Sequence, residues 1–346
     1  MKKVLLGIVV LVLVLVLAIQ FNILRLPRTW KANPPSVSTT TAALPGDTEL
    51  PTGVGTKSNG GTSPILAGKS VMLSFVFGGV KRSYVLHVPK GYDGSKKYPL
   101  MLSFHGNGGS GVGQETKSGF STVADAHSFL VAYPDSDPNY KEGGQWKLLG
   151  ANNDIDFSKA LIAAVESRYS IDASRIYVSG FSMGGGITQA LACSYPSKLA
   201  GFAVVSENLK DNFASRCDPS VPISAVFFHG TADTVSPYAG GANGLNGTIT
   251  WSSQKTTEFW VDKNGCSTPP ATERFPDTLT DGSKVTDTKQ VWTGCRAETS
   301  VTFYTIEGGG HAWPGGTPSK NNQVGPASTG LNASLVIWQL LSPMRR

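Results

Sequence analysis

Apolar and β-branched residues recur along the chain in short blocks separated by stretches of mixed polarity. Blocks at Val71–Phe77, Ser83–Val88, Leu100–Phe104, Phe129–Tyr133, Ile176–Ser179, Phe202–Val205, Ile223–Phe228 and Val301–Ile306 predict about eight strands. The first two flank Gly78-Gly79 and predict a hairpin. Helical patterns lie between many of the others, at Gln114–His127, Asp154–Tyr169, Gly185–Cys193, Ser252–Lys263 and Leu331–Leu341. The second of these has apolar Ile155, Leu161, Ile162 and Val165 at helical spacing, with acids in its first turn where the helix dipole favours them. Strand and helix therefore alternate after the hairpin. That order predicts an α/β fold, a mostly parallel eight-stranded sheet with helices on both faces and an antiparallel N-terminal hairpin.

The N-terminus departs from this pattern. Met-Lys-Lys precedes an apolar run from Val4 to about Leu24, as an export signal requires, and the run is also close to the length that spans a bilayer. Residues 1–25 are expected to be a signal peptide or an uncleaved signal anchor. Residues 26–68 are rich in Pro, Thr, Ser and Gly without apolar periodicity, and are expected to be a disordered linker. A single folded domain should occupy 69–346. An exported protein of this kind would be extracellular or anchored at the cell surface, meeting the membrane only through its N-terminal segment.

The net charge of +6 changes meaning once located, because Lys2, Lys3, Arg25, Arg28 and Lys31 supply five of the six charges. The rest of the chain is nearly neutral, which argues against nucleic acid as a partner. Cys193, Cys217, Cys266 and Cys295 all follow the export signal, so two disulfides are expected. Three pairings are open; the sequential one, Cys193 with Cys217 and Cys266 with Cys295, encloses the shortest segments. No C-x-x-C spacing occurs, so a metal site is not expected.

Candidate chemistry centres on Arg175-Ile-Tyr-Val-Ser-Gly-Phe-Ser-Met-Gly-Gly-Gly-Ile, where a G-x-S-x-G pattern falls between a strand and a helix. That context suits a nucleophilic serine on a strained turn, here Ser182. Its hydroxyl needs a base, and the base needs an acid to hold its tautomer. Of five histidines, His87 sits inside a strand and His127 ends a helix, whereas His105, His229 and His311 follow strand ends. The chain order nucleophile, acid, base leaves His229 and His311, and the glycines before His311 free its loop to reach over the sheet. His311 is the expected base. Asp233, just past a buried strand, is the expected acid, with Glu207 and Asp277 as competitors. The oxyanion donors are expected to be the amides of Met183, at a helix N-terminus, and Asn107, in the loop Ser103-Phe-His-Gly-Asn-Gly-Gly, where His105 and Gly106 shape the turn beside the substrate.

With Pro99-Leu-Met-Leu-Ser-Phe-His-Gly, Val131-Ala-Tyr-Pro-Asp, Gly180-Phe-Ser-Met-Gly, His229-Gly-Thr-Ala-Asp and Gly310-His-Ala-Trp-Pro-Gly in this order, the chain resembles the secreted polyhydroxybutyrate depolymerase and feruloyl esterase group of α/β-hydrolases, which includes the lipoprotein-like esterases. The resemblance spans about Ser70 to Pro343. It implies a cofactor-free serine ester hydrolase with a monomeric catalytic domain, acting on feruloyl, acetyl or hydroxyalkanoate and polyester-type esters, some of them polymeric. By the same resemblance Ser182, Asp233 and His311 match the triad, Trp146 and Trp313 match pocket aromatics, and Cys266 with Cys295 matches a cysteine pair near the last strand. Two features depart from the group: no polymer-binding module follows the domain, and no lipobox cysteine precedes it. An acyltransferase on the same fold is one alternative; an inert carbohydrate- or wall-binding protein using the two tryptophans is another.

Overall fold

A computed structural model of the chain describes residues 66–141, 143–267, 269–318 and 324–346. The expected signal segment lies outside these residues, as does the expected linker up to residue 65. Leu66 already packs against the core, two residues ahead of the linker's expected end.

The chain begins with β1 (Lys69–Phe77) and β2 (Val80–Val88), then β3 (Tyr98–Phe104), α1 (Gly111–Ser118), α2 (Phe120–His127) and β4 (Leu130–Pro134). It continues through α3 (Asp154–Arg168), β5 (Ile171–Phe181), α4 (Met183–Ser194), β6 (Gly201–Val205), α5 (Asp211–Ala214) and β7 (Ser224–Gly230). A two-residue pair, β8 (Gly241–Ala242) and β9 (Ile249–Thr250), precedes α6 (Ser253–Asn264), β10 (Ala271–Thr278), β11 (Lys284–Trp292), β12 (Val301–Ile306) and α7 (Ala333–Leu341). The main sheet runs in the order β1-β2-β4-β3-β5-β6-β7-β12-β11-β10. Strands β4, β3, β5, β6, β7 and β12 are mutually parallel, and the N-terminal hairpin is antiparallel as expected.

Among the described residues the sheet has ten strands, not eight. The added pair, β10 and β11, is an antiparallel hairpin on the far side of β12. Its sequences, ATERFPDT and KVTDTKQVW, are mostly polar and mostly accessible, so no apolar block marks them. Pro276 inside β10 is tolerated because β10 is an edge strand. A second difference lies in the segment Gln114–His127, which is two helices. Gly119 adopts φ 64° and closes α1 by donating its N–H to Glu115 O at 2.9 Å.

Period-two alternation divides the core between the two sheet faces. Leu100, Leu102, Phe104, Ile176, Val178, Phe202, Val204, Ala225 and Phe227 face α3, α4 and α6, whose Phe157, Leu161, Ile187, Leu191 and Trp260 join them. Met101, Tyr177, Ala203, Val205, Val226 and Phe228 face α2 and α7 with Phe120, Val123, Ile337 and Trp338. Both surfaces of the parallel strands are thus apolar, which explains why their blocks read as continuous hydrophobic runs.

Two long-range devices fix the loops that surround the strand ends. Disulfides join Cys193 to Cys217 and Cys266 to Cys295, tying the ends of α4 and α6 to the loops after α5 and β11. Each closes a short segment and stabilises the fold by about 3 kcal/mol, chiefly by restricting the unfolded chain. Buried Arg82 pairs with buried Asp154, and its guanidinium lies 3.8 Å from the Phe157 ring centre. The other Asp154 oxygen accepts the Lys147 N–H at 2.6 Å, so this pair also anchors the loop that carries Trp146. Removing one partner would strand a buried charge at a cost of about 3–5 kcal/mol.

Candidate active site

Ser182 lies between the end of β5 and the start of α4, with φ 54° and ψ −126°. A non-glycine residue adopts such a conformation only at a cost of about 1–3 kcal/mol, so the surroundings must enforce it. They do so through two close approaches. A Cβ on Gly180 would fall 2.0 Å from Gly184 O, and one on Gly184 would fall 2.3 Å from Phe104 O. Only glycine fits at either position, which accounts for both fixed glycines of the G-x-S-x-G pattern. The Ser182 N–H is held by Val205 O at 2.9 Å, locking the turn to β6.

His311 follows β12 in the loop Glu307-Gly-Gly-Gly-His. Gly310 is needed because a Cβ there would meet Val324 O at 2.1 Å. The imidazole Nδ1 lies 2.8 Å from Asp233 Oδ2, and its ring packs on Phe181, adjacent to Ser182, with centroids 4.9 Å apart. Since Nδ1 faces a carboxylate it carries the proton, which leaves Nε2 as the acceptor required of a base. Asp233, just after β7, accepts the N–H groups of Val235 and Ser236 on Oδ1 at 2.9 and 2.8 Å. Burial pushes its carboxyl upward, but bonds to His229 and His311 and their charges outweigh burial and hold it well below the usual carboxylate range.

His229, a candidate for the base in the sequence, takes a supporting position beside the acid instead. It sits 3.4 Å from Asp233 Oδ2 and donates its Nε2–H to Ser236 O at 2.7 Å, bracing the loop that carries the acid. The signal was present in the i, i+4 spacing of His229 and Asp233. Of the competing acids, Asp277 belongs to β10, where it accepts the Gly330 and Thr278 N–H groups. Glu207 is buried after β6 and its side chain borders Gly185; burial pushes its carboxyl upward, opposed by the charges of Lys210, His311 and His229. The His311 Nδ1 hydrogen bond nevertheless goes to Asp233.

The expected oxyanion loop lies beside the serine. A Cβ on Gly106 would stand 3.2 Å from Ser182 Cβ. In this loop Gly108 N–H bonds to Gly144 O and Gly109 N–H to Gly106 O. Asn107 is exposed, and its amide forms no hydrogen bond among the described residues. Met183 opens α4, where the first amides have no intrahelical acceptor. His105 is buried and donates Nδ1–H to Gly106 O at 2.7 Å, and burial pushes its pKa down.

The two tryptophans differ. Trp146 is buried, donates its indole N–H to His105 O at 2.8 Å and packs against the His105 and Phe104 rings. It braces the loop that follows β3. Trp313 borders a cavity of about 470 Å3 that also reaches His311 and Ala312, and its indole N–H is held by Ser334 Oγ at 3.1 Å.

A mostly parallel sheet with a serine at a strand-to-helix elbow, and a histidine and an aspartate at later strand ends, defines the α/β-hydrolase fold. Residues 82–216 match the family model described as Esterase PHB depolymerase. The chain is 32% identical to a probable feruloyl esterase C of Aspergillus terreus over 255 residues, covering 72% of this chain and 82% of that one. It is 28% identical to feruloyl esterase B of Piromyces equi over 67% of its own length, but spans only 42% of that larger protein. A solved acetyl xylan esterase from Aspergillus awamori shares the fold at TM-score 0.51 and 17% identity, covering 73% of this chain and 97% of that one. The chain belongs to the polyhydroxybutyrate depolymerase and feruloyl esterase group of the α/β-hydrolase superfamily, and is a carboxylic ester hydrolase.

Proposed function

We propose that the protein is an exported serine esterase that works through an acyl-enzyme. The observation that carries this reading is the His311 Nδ1 to Asp233 Oδ2 bond of 2.8 Å beside a serine at φ 54°. His311 Nε2 takes the Ser182 proton as Oγ attacks the ester carbonyl, and Asp233 stabilises the imidazolium. The amides of Asn107 and Met183 receive the developing oxyanion. Collapse of the tetrahedral intermediate expels the alcohol with the proton that His311 has held. Water then enters and attacks the acyl carbonyl as His311 takes one of its protons; collapse of the second intermediate breaks the acyl–Oγ bond, His311 returns that proton to Ser182 Oγ, and the acid product leaves.

The matched relatives support feruloyl esters as the first class to test, with acetyl and hydroxyalkanoate esters beside them. Export is supported by the N-terminal Lys-Lys-apolar pattern and by the two disulfides, which an oxidising compartment favours. The test compares wild type with Ser182→Ala on methyl ferulate, 4-nitrophenyl acetate, acetylated xylan and hydroxybutyrate polymer. Loss of about 10⁴-fold or more in kcat with an unchanged circular dichroism spectrum is expected. Retained turnover in the variant removes the acyl-enzyme.

A further inference from the structure

Lys117 lies in the last turn of α1, where a cation ordinarily points into water and complements the helix dipole. Here it does neither fully. Its ammonium lies 4.8 Å from the centre of the Phe181 ring, and the side chain borders the cavity that reaches His311 and Trp313. Phe181 precedes the nucleophile and packs on His311, so a single phenyl ring separates the ammonium from the imidazole. The wall is held in place by Thr317, whose N–H and Oγ1–H bond to Lys117 O and Thr116 O at 3.1 and 2.9 Å.

The ammonium makes no hydrogen bond or ion pair among the described residues. Burial alone pushes its pKa down, with no carboxylate to oppose the shift. Asp281 is the acidic residue that borders the same cavity, but it is exposed to water and its Oδ1 accepts the Ser283 N–H at 3.0 Å. The ring face attracts the cation yet satisfies none of its three N–H donors. A partly desolvated ammonium in that condition gains from an anion that enters the cavity. The cavity volume of about 470 Å3 suits a small acyl chain.

We propose that Lys117 is a specificity residue that selects esters bearing a carboxylate at the far end of the group lodged beside Trp313. This rests on the serine-esterase reading, because the ester carbonyl must sit at Ser182 while the carboxylate reaches Lys117 across Phe181. A half-ester of a short-chain dicarboxylic acid has that shape.

The test uses the folded protein and two esters that differ only in charge, 4-nitrophenyl hydrogen adipate and 4-nitrophenyl methyl adipate. The readout is the ratio of their kcat/KM values, anionic over neutral, at low and high salt. Lys117→Met is expected to lower this ratio by about tenfold, the worth of one charge-assisted hydrogen bond, and to abolish its salt dependence. Lys117→Arg is expected to keep it within about threefold. Because both esters are measured on one preparation, partial misfolding cancels from the ratio. An unchanged ratio in Lys117→Met overturns the proposal. Failure of wild type to hydrolyse either ester points instead to failure of the esterase reading, and the proposal falls with it.

Discussion

Asp233 Oδ2 lies 2.8 Å from His311 Nδ1, and the same oxygen has a second imidazole, that of His229, at 3.4 Å. The acid of the site therefore serves two histidines with different tasks. His311 packs on Phe181, the residue before Ser182. His229 is bound to Ser236 O and holds the acid's loop.

Replacing Asp233 by Asn should lower kcat by about 10³–10⁴-fold, since an amide at this position favours the wrong imidazole tautomer. Replacing His229 by Gln should cost far less, about tenfold, because the main bond to His311 survives. Asp233 also carries a pH signature. Its folded pKa lies well below the unfolded value of about 3.9, so the unfolded chain binds more protons between the two. Its contribution to stability is present above about pH 4 and is lost as pH falls from there toward the folded value. Chemical denaturation from pH 7 to pH 3 should show the gap between wild type and Asp233→Asn closing at the acid end. A gap that is constant with pH contradicts this role.

The elbow at Ser182 stores strain that folding does not need. Ser182→Gly should be inactive yet more stable by about 1 kcal/mol, the relief of a positive φ less the entropy glycine adds to the unfolded chain. For a domain of this size that is a rise of about 2–4 °C in Tm. Ser182→Ala keeps the Cβ and should show no such gain, so calorimetry on the two variants separates strain from loss of the hydroxyl.

Asp277 and Asp287 are buried diagonal neighbours across β10 and β11, and Oδ2 of each has no hydrogen-bond partner among the described residues. Burial, then the neighbouring Asp277 carboxyl, pushes Asp287 up to about 7, against the Glu307 N–H bond that lowers it. The folded state therefore holds a proton that the unfolded state releases near pH 4. Stability from this group falls as pH rises from about 4 to about 7 and is level above that. Asp287→Asn keeps a neutral side chain at all pH values and should raise Tm at pH 8 relative to wild type, with the difference shrinking by pH 5. An equal difference at both pH values would show that Asp287 is not protonated in the folded state near pH 5.

Much of this molecule is decided locally and could be read from residue order. Period-two apolar blocks place the eight strands buried or half-buried by neighbours on both faces. The glycines at 180 and 184 announce an elbow because no other residue survives the contacts with Gly184 O and Phe104 O. Chain order then points from Ser182 to Asp233 and His311, since each lies just beyond a recognisable strand. The sequential disulfides also follow from short spacings.

What only tertiary structure decided involves partners distant in sequence. The hairpin of β10 and β11 has no apolar signature, because an edge pair buries few side chains and takes its stability from the ladder to β12. Trp146 sits under the loop after β3 because the Arg82–Asp154 pair positions its segment from two separate elements. Lys117 looks like an ordinary helix-ending cation until the fold lays Phe181 beneath it and the His311 loop beside it. A side chain's charge state and reach depend on what is packed around it, and that is a property of the folded chain.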